Sequence, residues 1–99
     1  MLKKLQRVLG VFFNNETLLQ QALVHSSYAN ENQWSKLESY ERMEFLGDAI
    51  LNQLVSKVLF DCGPSLDEGD LTNARTYLVR GEYLVKWADT IGLGEYIII

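Results

Sequence analysis

The apolar positions recur every three or four residues along most of the chain, which is the period of amphipathic helices. The first such run ends at Gly10, and Asn15 is suited to cap a second helix that reaches to about His25. A polar stretch from Ala29 to Lys36 follows. The chain is therefore predicted to begin with two short helices and a loop.

The longest run of helical periodicity predicts a helix that begins between Leu37 and Tyr40 and continues to about Phe60. Residues 62–64, Cys-Gly-Pro, stop it. One flank of this helix is apolar and is predicted to be buried: Met43, Leu46, Ile50, Leu54 and Val58. The longest element of the fold is thus predicted near the middle of the chain.

Two more helices are predicted after the long one. Ser65 or Asp67 caps the first, and Gly81 separates it from the last, which ends at Gly92. The predicted inward residues are Leu71, Ala74, Leu78 and Val79 in the first, and Tyr83, Leu84, Trp87, Ala88 and Ile91 in the last. Only the final run, Tyr96–Ile99, favours β structure, so the sequence predicts an all-α fold.

Composition indicates one small globular domain, with 99 residues of which 47% are apolar. The single cysteine, Cys62, cannot form an intramolecular disulfide and favours a reducing compartment such as the cytoplasm. No signal peptide or membrane-spanning run is recognised, so we expect no membrane partner. The net charge of −4 argues against simple electrostatic binding of nucleic acid.

The long helix carries three carboxylates inside a run otherwise suited to burial. At about 100° per residue, Glu41, Glu44 and Asp48 fall within an arc of roughly 60° and form one acidic stripe. Mg²⁺ takes one or two carboxylates and completes its coordination with waters and phosphate oxygens. The acidic stripe therefore suits metal-assisted phosphodiester chemistry.

A plainer interpretation is that the acidic stripe is the solvated face of an amphipathic helix. Gly47, beside Asp48, costs roughly 1 kcal/mol of helix propensity relative to alanine, which indicates a close approach to the backbone there. Carboxylates one turn apart also repel each other. Both features argue against a merely solvated face, and the acidic stripe favours a bound cation.

Residues 41–49, Glu-Arg-Met-Glu-Phe-Leu-Gly-Asp-Ala, closely resemble the nine-residue signature of the ribonuclease III family, usually written ERLEFLGDS. Met43 stands where the family usually has leucine, and Ala49 stands where it usually has serine. Three further segments match the family in order and spacing: residues 22–31, 68–75 and 91–96. The chain is identified as a member of this family.

The resemblance implies hydrolysis of phosphodiester bonds in double-stranded RNA by divalent metal ions, Mg²⁺ or alternatively Mn²⁺. It implies that Glu44 and Asp48 bind the metal and that Asp48 also positions or activates water. It assigns Glu41 to shaping the acidic cleft, and Glu68 to an accessory acidic position. A homodimer through the signature helix is also implied, and Phe45 is compatible with that interface.

The family completes its metal site with an acidic pair in a later Asp-x-x-Glu-Ala motif, which this sequence lacks. Residues 1–99 are therefore expected to be a partial catalytic domain, truncated before its last helices, without a double-stranded-RNA-binding domain and inactive alone. The alternative is a non-catalytic dimerisation or ribonucleoprotein scaffold module. The intact Glu44 and Asp48 favour the enzyme, whereas the missing acidic pair favours the scaffold.

His25 is the only histidine. At neutral pH an imidazole is suited to act as a base or a metal ligand. A lone histidine at a helix end, followed by Ser26 and Ser27, is more often a structural hydrogen-bonding residue, and the resemblance gives it no catalytic role. We expect a structural role.

Overall fold

The computed structural model describes all 99 residues and contains six α-helices. They are α1 (Leu2–Leu9), α2 (Glu16–Gln21), α3 (Ser26–Glu31), α4 (Glu41–Cys62), α5 (Glu68–Leu78) and α6 (Gly81–Thr90). Short 3₁₀ turns occupy Lys36–Glu38 and Leu93–Glu95, and the β-prone C-terminus contributes only an isolated parallel bridge between Val24 and Ile98. The predicted all-α class is confirmed.

Several helix ends lie where local sequence signals placed them. Gly10 ends α1 with a φ of 72°, a left-handed conformation that glycine adopts without strain. The side chain of Asn15 caps α2 by accepting a hydrogen bond from the N–H of Thr17 at 3.1 Å. Asp67 caps α5 in the same way, accepting from the N–H of Asp70 at 2.8 Å. The caps at Asn15 and Asp67 satisfy backbone donors that the first turn of each helix leaves unpaired.

The segment between α2 and α4 differs from the prediction. Helix α2 ends at Gln21, well before the predicted end near His25, and a third helix follows. His25 caps that helix, because its Nδ1 accepts a hydrogen bond from the N–H of Ser27 at 3.1 Å. The predicted loop is therefore wrong for Ala29–Glu31, which forms the second half of α3. Histidine is not a preferred N-cap residue, so the pattern contained no start signal there.

The hydrophobic core lies at one end of the molecule. Its buried side chains come from α1, the α2 region and the C-terminus: Leu5, Leu19, Leu23 and Tyr96. The buried Gln6 lies next to Leu5 in α1, where its side-chain oxygen accepts from the N–H of Phe13 at 2.7 Å. The core is thus small and satisfies the polar side chain buried beside it.

No residue of α4, α5 or α6 is buried, which corrects the prediction that all three supply inward faces. Along the apolar flank of α4, the exposed fractions lie between 46% and 60% for Leu46, Ile50, Leu54 and Val58. Met43, Leu71, Ala74, Val79, Ala88 and Ile91 are half-buried, whereas Leu78, Tyr83, Leu84 and Trp87 are exposed. A helix buries its apolar face only where a second layer covers it, and α5 covers only part of α4.

The molecule is elongated, with principal extents of 51 × 27 × 24 Å. Its radius of gyration is 16.1 Å, whereas a compact domain of this length has about 13 Å. The 22 residues of α4 rise about 33 Å, which accounts for much of the long dimension. None of the helices combines the length and the apolar character needed to cross a membrane.

A tyrosine pair holds the corner between α5 and α6. The hydroxyl of Tyr83 donates to the hydroxyl of Tyr77 at 3.0 Å, and the two rings meet edge to face with centroids 5.1 Å apart. This hydrogen bond raises the pKa of Tyr83 above its ordinary value of 10.0, since ionisation would remove the donated proton. The contact therefore stabilises the corner below pH 10 and is lost as the pH rises through the raised pKa.

Candidate functional site

A hydrogen-bonded turn around the buried Ser39 sets the start of α4, where the acidic stripe begins. Tyr40 is the N-cap residue, and its N–H donates to the carbonyl oxygen of Val24 at 3.0 Å. The hydroxyl of the fully buried Ser39 donates to the carbonyl oxygen of Lys36 at 2.7 Å. The same hydroxyl accepts from the N–H of Glu41 at 3.4 Å. Glu41, the first residue of the acidic stripe, thus directly follows two residues that hydrogen bonds hold to Val24 and Lys36.

The three side chains of the acidic stripe are exposed. Because α4 is continuous from residue 41 to residue 62, Glu41, Glu44 and Asp48 lie on the single face that their spacing predicts. The ion pairs of the chain are elsewhere, between Lys57 and Asp61 and between Arg80 and Glu82, so Arg42 does not neutralise the stripe. The three carboxylates are accessible, and their mutual repulsion is not relieved by an ion pair.

Two surface hollows flank the acidic stripe. One, of about 460 Å³, is lined by Glu41, Arg42, Phe45 and Leu46. The other, of about 360 Å³, is lined by Ala22, Tyr40, Met43, Glu44, Leu93 and Ile97. Glu41 and Glu44 therefore border different hollows. Around the helix axis, Asp48 lies at an angle between those of the two glutamates. A ligand on the acidic stripe has largely apolar walls on both sides.

The carboxylates of Glu44 and Asp48 start one helical turn apart, with about 6 Å of rise between their Cα atoms. This donor set fits Mg²⁺, which uses one or two carboxylates together with waters and phosphate oxygens. No group of three His, Cys, Asp or Glu side chains is arranged to hold a metal ion. The chain therefore offers an open pair of ligands and no closed, all-protein metal site of the structural zinc type.

Glu68 lies on the first turn of α5 and is not part of the acidic stripe. It borders a cleft of about 250 Å³ between α4 and α5, together with Ser56, Leu59, Phe60, Leu71, Thr72 and Arg75. Ser56 is about 12 Å beyond Asp48 along the axis of α4. A side-chain oxygen of Glu68 accepts from the hydroxyl of Thr72 at 3.2 Å. The fold therefore does not bring Glu68 to the acidic stripe of its own chain.

The surface around Gly47 is open, so no other part of this chain makes the close approach that the sequence predicts there. A Cβ at Gly47 would have no neighbouring atom within 4 Å. Phe45 is 84% exposed on the same part of α4. An uncovered apolar ring beside unpaired carboxylates leaves this face accessible to a ligand or a second protein.

Comparison with known proteins supports the resemblance seen in the sequence. A family model described as Ribonuclease-III-like matches residues 15–99. A curated relative named Ribonuclease 3 from a Geobacillus species is 46% identical over 97 residues, which cover 98% of this chain and 39% of the relative. The Ribonuclease 3 of Dehalococcoides mccartyi is 49% identical over 96 residues and is covered to 40%. The chain thus spans about two fifths of the length of these relatives.

Solved structures agree with the sequence relatives. The nuclease domain of ribonuclease III from Campylobacter jejuni, described as having a flexible region involved in dimer formation, matches with a TM-score of 0.90 at 35% identity. The match covers all of this chain and 65% of that one. A second structure of that nuclease domain gives a TM-score of 0.85 at 36% identity. Sequence and fold agree over nearly the whole chain, which belongs to the ribonuclease III-like family.

Proposed function

We propose that this chain is part of the catalytic domain of an endoribonuclease that hydrolyses double-stranded RNA with divalent metal ions. The observation that carries the proposal is the acidic stripe, which presents unpaired, exposed carboxylates on one face of a rigid helix. Relatives that cover most of this chain are named Ribonuclease 3. The acidic stripe also explains how a protein with a net charge of −4 could act on RNA, since bound cations supply positive charge.

In this proposal Glu44 and Asp48 hold Mg²⁺ or Mn²⁺, and the ion supplies Lewis-acid activation of water and of the scissile phosphate. Asp48 accepts a hydrogen bond from the attacking water and orients it. Glu41 borders the hollow lined by Phe45 and Leu46, and it keeps the surface beside the two metal ligands acidic. Glu68 remains accessory, because it lies near the far end of α4. We place the protein in the cytoplasm on the basis of its single cysteine, Cys62.

A second candidate function is a non-catalytic scaffold module of the same fold. The observation that favours it is that no three potential metal ligands converge in this chain. The two functions differ in the requirement for metal, because a scaffold needs none at the acidic stripe. Metal binding to the chain, measured by the electron paramagnetic resonance of free Mn²⁺, separates them.

We expect the 99-residue chain by itself to show no cleavage of a long double-stranded RNA when Mg²⁺ is titrated and products are resolved on a gel. The physical reason is that two carboxylates leave most of the metal's coordination to water, so the ion is held weakly and is poorly oriented. Robust metal-dependent cutting would contradict this expectation. It would also show that the missing acidic pair is dispensable or replaced.

We further propose that the protein is a homodimer through α4. Phe45 is the natural anchor, since its ring is 84% exposed and lies beside the hollow lined by Leu46. Phe45→Ala is expected to weaken self-association by about 30-fold, the effect of losing one buried aromatic anchor of roughly 2 kcal/mol. Analytical ultracentrifugation over a concentration series measures this.

The matched control for the dimer is Phe12→Ala. Phe12 is 71% exposed and belongs to the segment between α1 and α2, outside α4. Its removal should leave the dissociation constant unchanged. Equal effects of the two substitutions, or a monomer at every concentration of the unsubstituted chain, would refute the interface on α4.

A further inference from the structure

Three segments of the chain meet at Val24 and His25. The N–H of His25 donates to the carbonyl oxygen of Ile98 at 2.9 Å. The N–H of Ile98 donates in turn to the carbonyl oxygen of Leu23, also at 2.9 Å. The carbonyl oxygen of Val24 accepts from the N–H of Tyr40 at 3.0 Å. These bonds tie the C-terminal residues and the start of α4 to the segment that precedes α3.

The side chain of His25 makes a further contact on each side of this junction. Its Nδ1 accepts from the N–H of Ser27 at 3.1 Å, and the hydroxyl oxygen of Ser27 lies 2.8 Å from the same nitrogen. Because a backbone N–H can only donate, Nδ1 carries no proton, and the neutral ring has its proton on Nε2. The α3 cap therefore sets the orientation of the ring.

The ring of His25 also packs against Tyr40. The two ring centroids are 5.8 Å apart and the ring planes are inclined at 74°, an edge-to-face arrangement. The side chain of Tyr40 makes no capping hydrogen bond to α4. The backbone of Tyr40 is held by its hydrogen bond to Val24, whereas its ring is placed by packing, and the contact with His25 is a specific part of that packing.

Tyr40 connects this contact to the acidic stripe. It precedes Glu41 in the chain, and its carbonyl oxygen accepts the N–H of Glu44 at 2.8 Å, which is the first helical bond of α4. Tyr40 and Glu44 also line the same hollow. The ring of Tyr40 is therefore part of the wall beside Glu44, and the backbone of the same residue carries the first hydrogen bond of α4.

We propose that His25 is a positioning residue for the acidic stripe. Its ring, oriented by Ser27, holds Tyr40 in the conformation from which α4 directs Glu41 and Glu44. His25 itself touches neither metal nor RNA. The inference rests on the proposed metal-binding function of the acidic stripe, and it gives the histidine a role in the site beyond capping α3.

Substitutions separate the two contacts of the ring. His25→Asn keeps a short side chain that caps helices well but removes the ring. Tyr40→Leu removes the other ring and leaves the His25 cap intact, whereas Tyr40→Phe keeps the ring pair and is the matched control. The measurements are Mn²⁺ affinity by electron paramagnetic resonance, amide hydrogen exchange by NMR, and the thermal midpoint, all on the 99-residue chain.

His25→Asn and Tyr40→Leu are each expected to weaken Mn²⁺ binding by between about twofold and tenfold, the range that an aromatic pair supports. Amide exchange should accelerate at residues 41–45 and stay unchanged in α3. The variant with both substitutions should bind Mn²⁺ no more weakly than either single variant, because both substitutions remove the same contact. Tyr40→Phe should match the unsubstituted chain.

Unchanged Mn²⁺ affinity and unchanged exchange at residues 41–45 in Tyr40→Leu would overturn the positioning role. The positioning role would also be overturned if the losses of Mn²⁺ affinity in the two single variants add up in the double variant. If His25→Asn fails to fold, Tyr40→Leu alone decides. If the unsubstituted chain binds no Mn²⁺, the proposed metal site fails, while the exchange measurement still reports whether His25 orders the first turn of α4.

Discussion

Asp48→Asn and Glu44→Gln are each expected to abolish metal-dependent cleavage of double-stranded RNA in a chain extended with the remaining helices of the family's nuclease domain. Both substitutions keep the size of the side chain and remove one negative charge from a ligand of the metal. Losing even an outer-shell partner of a metal ligand typically costs about 10–100-fold, so we expect a loss of more than about 100-fold here. Initial rates at saturating RNA, measured over a Mg²⁺ series, test this.

The fold should survive both substitutions. Glu44 and Asp48 are exposed, and neither takes part in an ion pair. The thermal midpoint should stay the same or rise slightly, because each change relieves repulsion between carboxylates one turn apart. Glu41→Gln is the milder comparison on the same helix face. Full cleavage by Asp48→Asn at physiological Mg²⁺ would refute its metal role, and unfolding of either variant would make the acids structural.

Leu5→Ala is expected to lower the thermal midpoint of the chain by more than about 10 °C. Leu5 is fully buried in a core cluster of four residues. Replacing a buried leucine by alanine costs about 2–5 kcal/mol, and each kcal/mol moves the midpoint of a domain this small by about 4–8 °C. Only 8 of the 99 residues are buried, so little other packing compensates. Thermal unfolding followed by circular dichroism gives the midpoint.

The control for Leu5→Ala is Val8→Ala in the same helix. Val8 is 46% exposed, so its truncation removes little buried area and should move the midpoint by a few degrees at most. Similar shifts for the two substitutions would mean that the chain is not stabilised by the core cluster. Loss of all cooperative unfolding in Leu5→Ala alone agrees with the prediction, because the cluster is the only buried hydrophobic one.

The sequence determined those features that depend on a few neighbouring residues. Gly10, Asn15 and Asp67 act through their own backbone conformation or through a donor two or three residues away, so the ends that they set were predictable. The acidic stripe was predictable for the same reason. Once residues 41–48 are helical, the angle between two of their side chains follows from the helical period alone.

Tertiary structure decided which of the predicted faces are covered. The apolar flank of α4 has the pattern of a buried face, but burial requires a second layer, and Leu46, Leu54 and Val58 remain 58–60% exposed. A pattern of apolar residues records what a helix can bury and contains no information on whether a partner is present. The inward faces predicted for α5 and α6 are at most half-buried for the same reason.

The candidate site likewise has some features that the sequence predicted and others that only the fold decided. The sequence placed Glu41, Glu44 and Asp48 on one face, whereas only the fold separated Glu68 from them, because that distance depends on where α5 packs along α4. The contact between His25 and Tyr40 joins residues fifteen positions apart and is held by backbone bonds to Val24 and Ile98. Local periodicity does not encode such contacts, since they arise only when distant segments pack together.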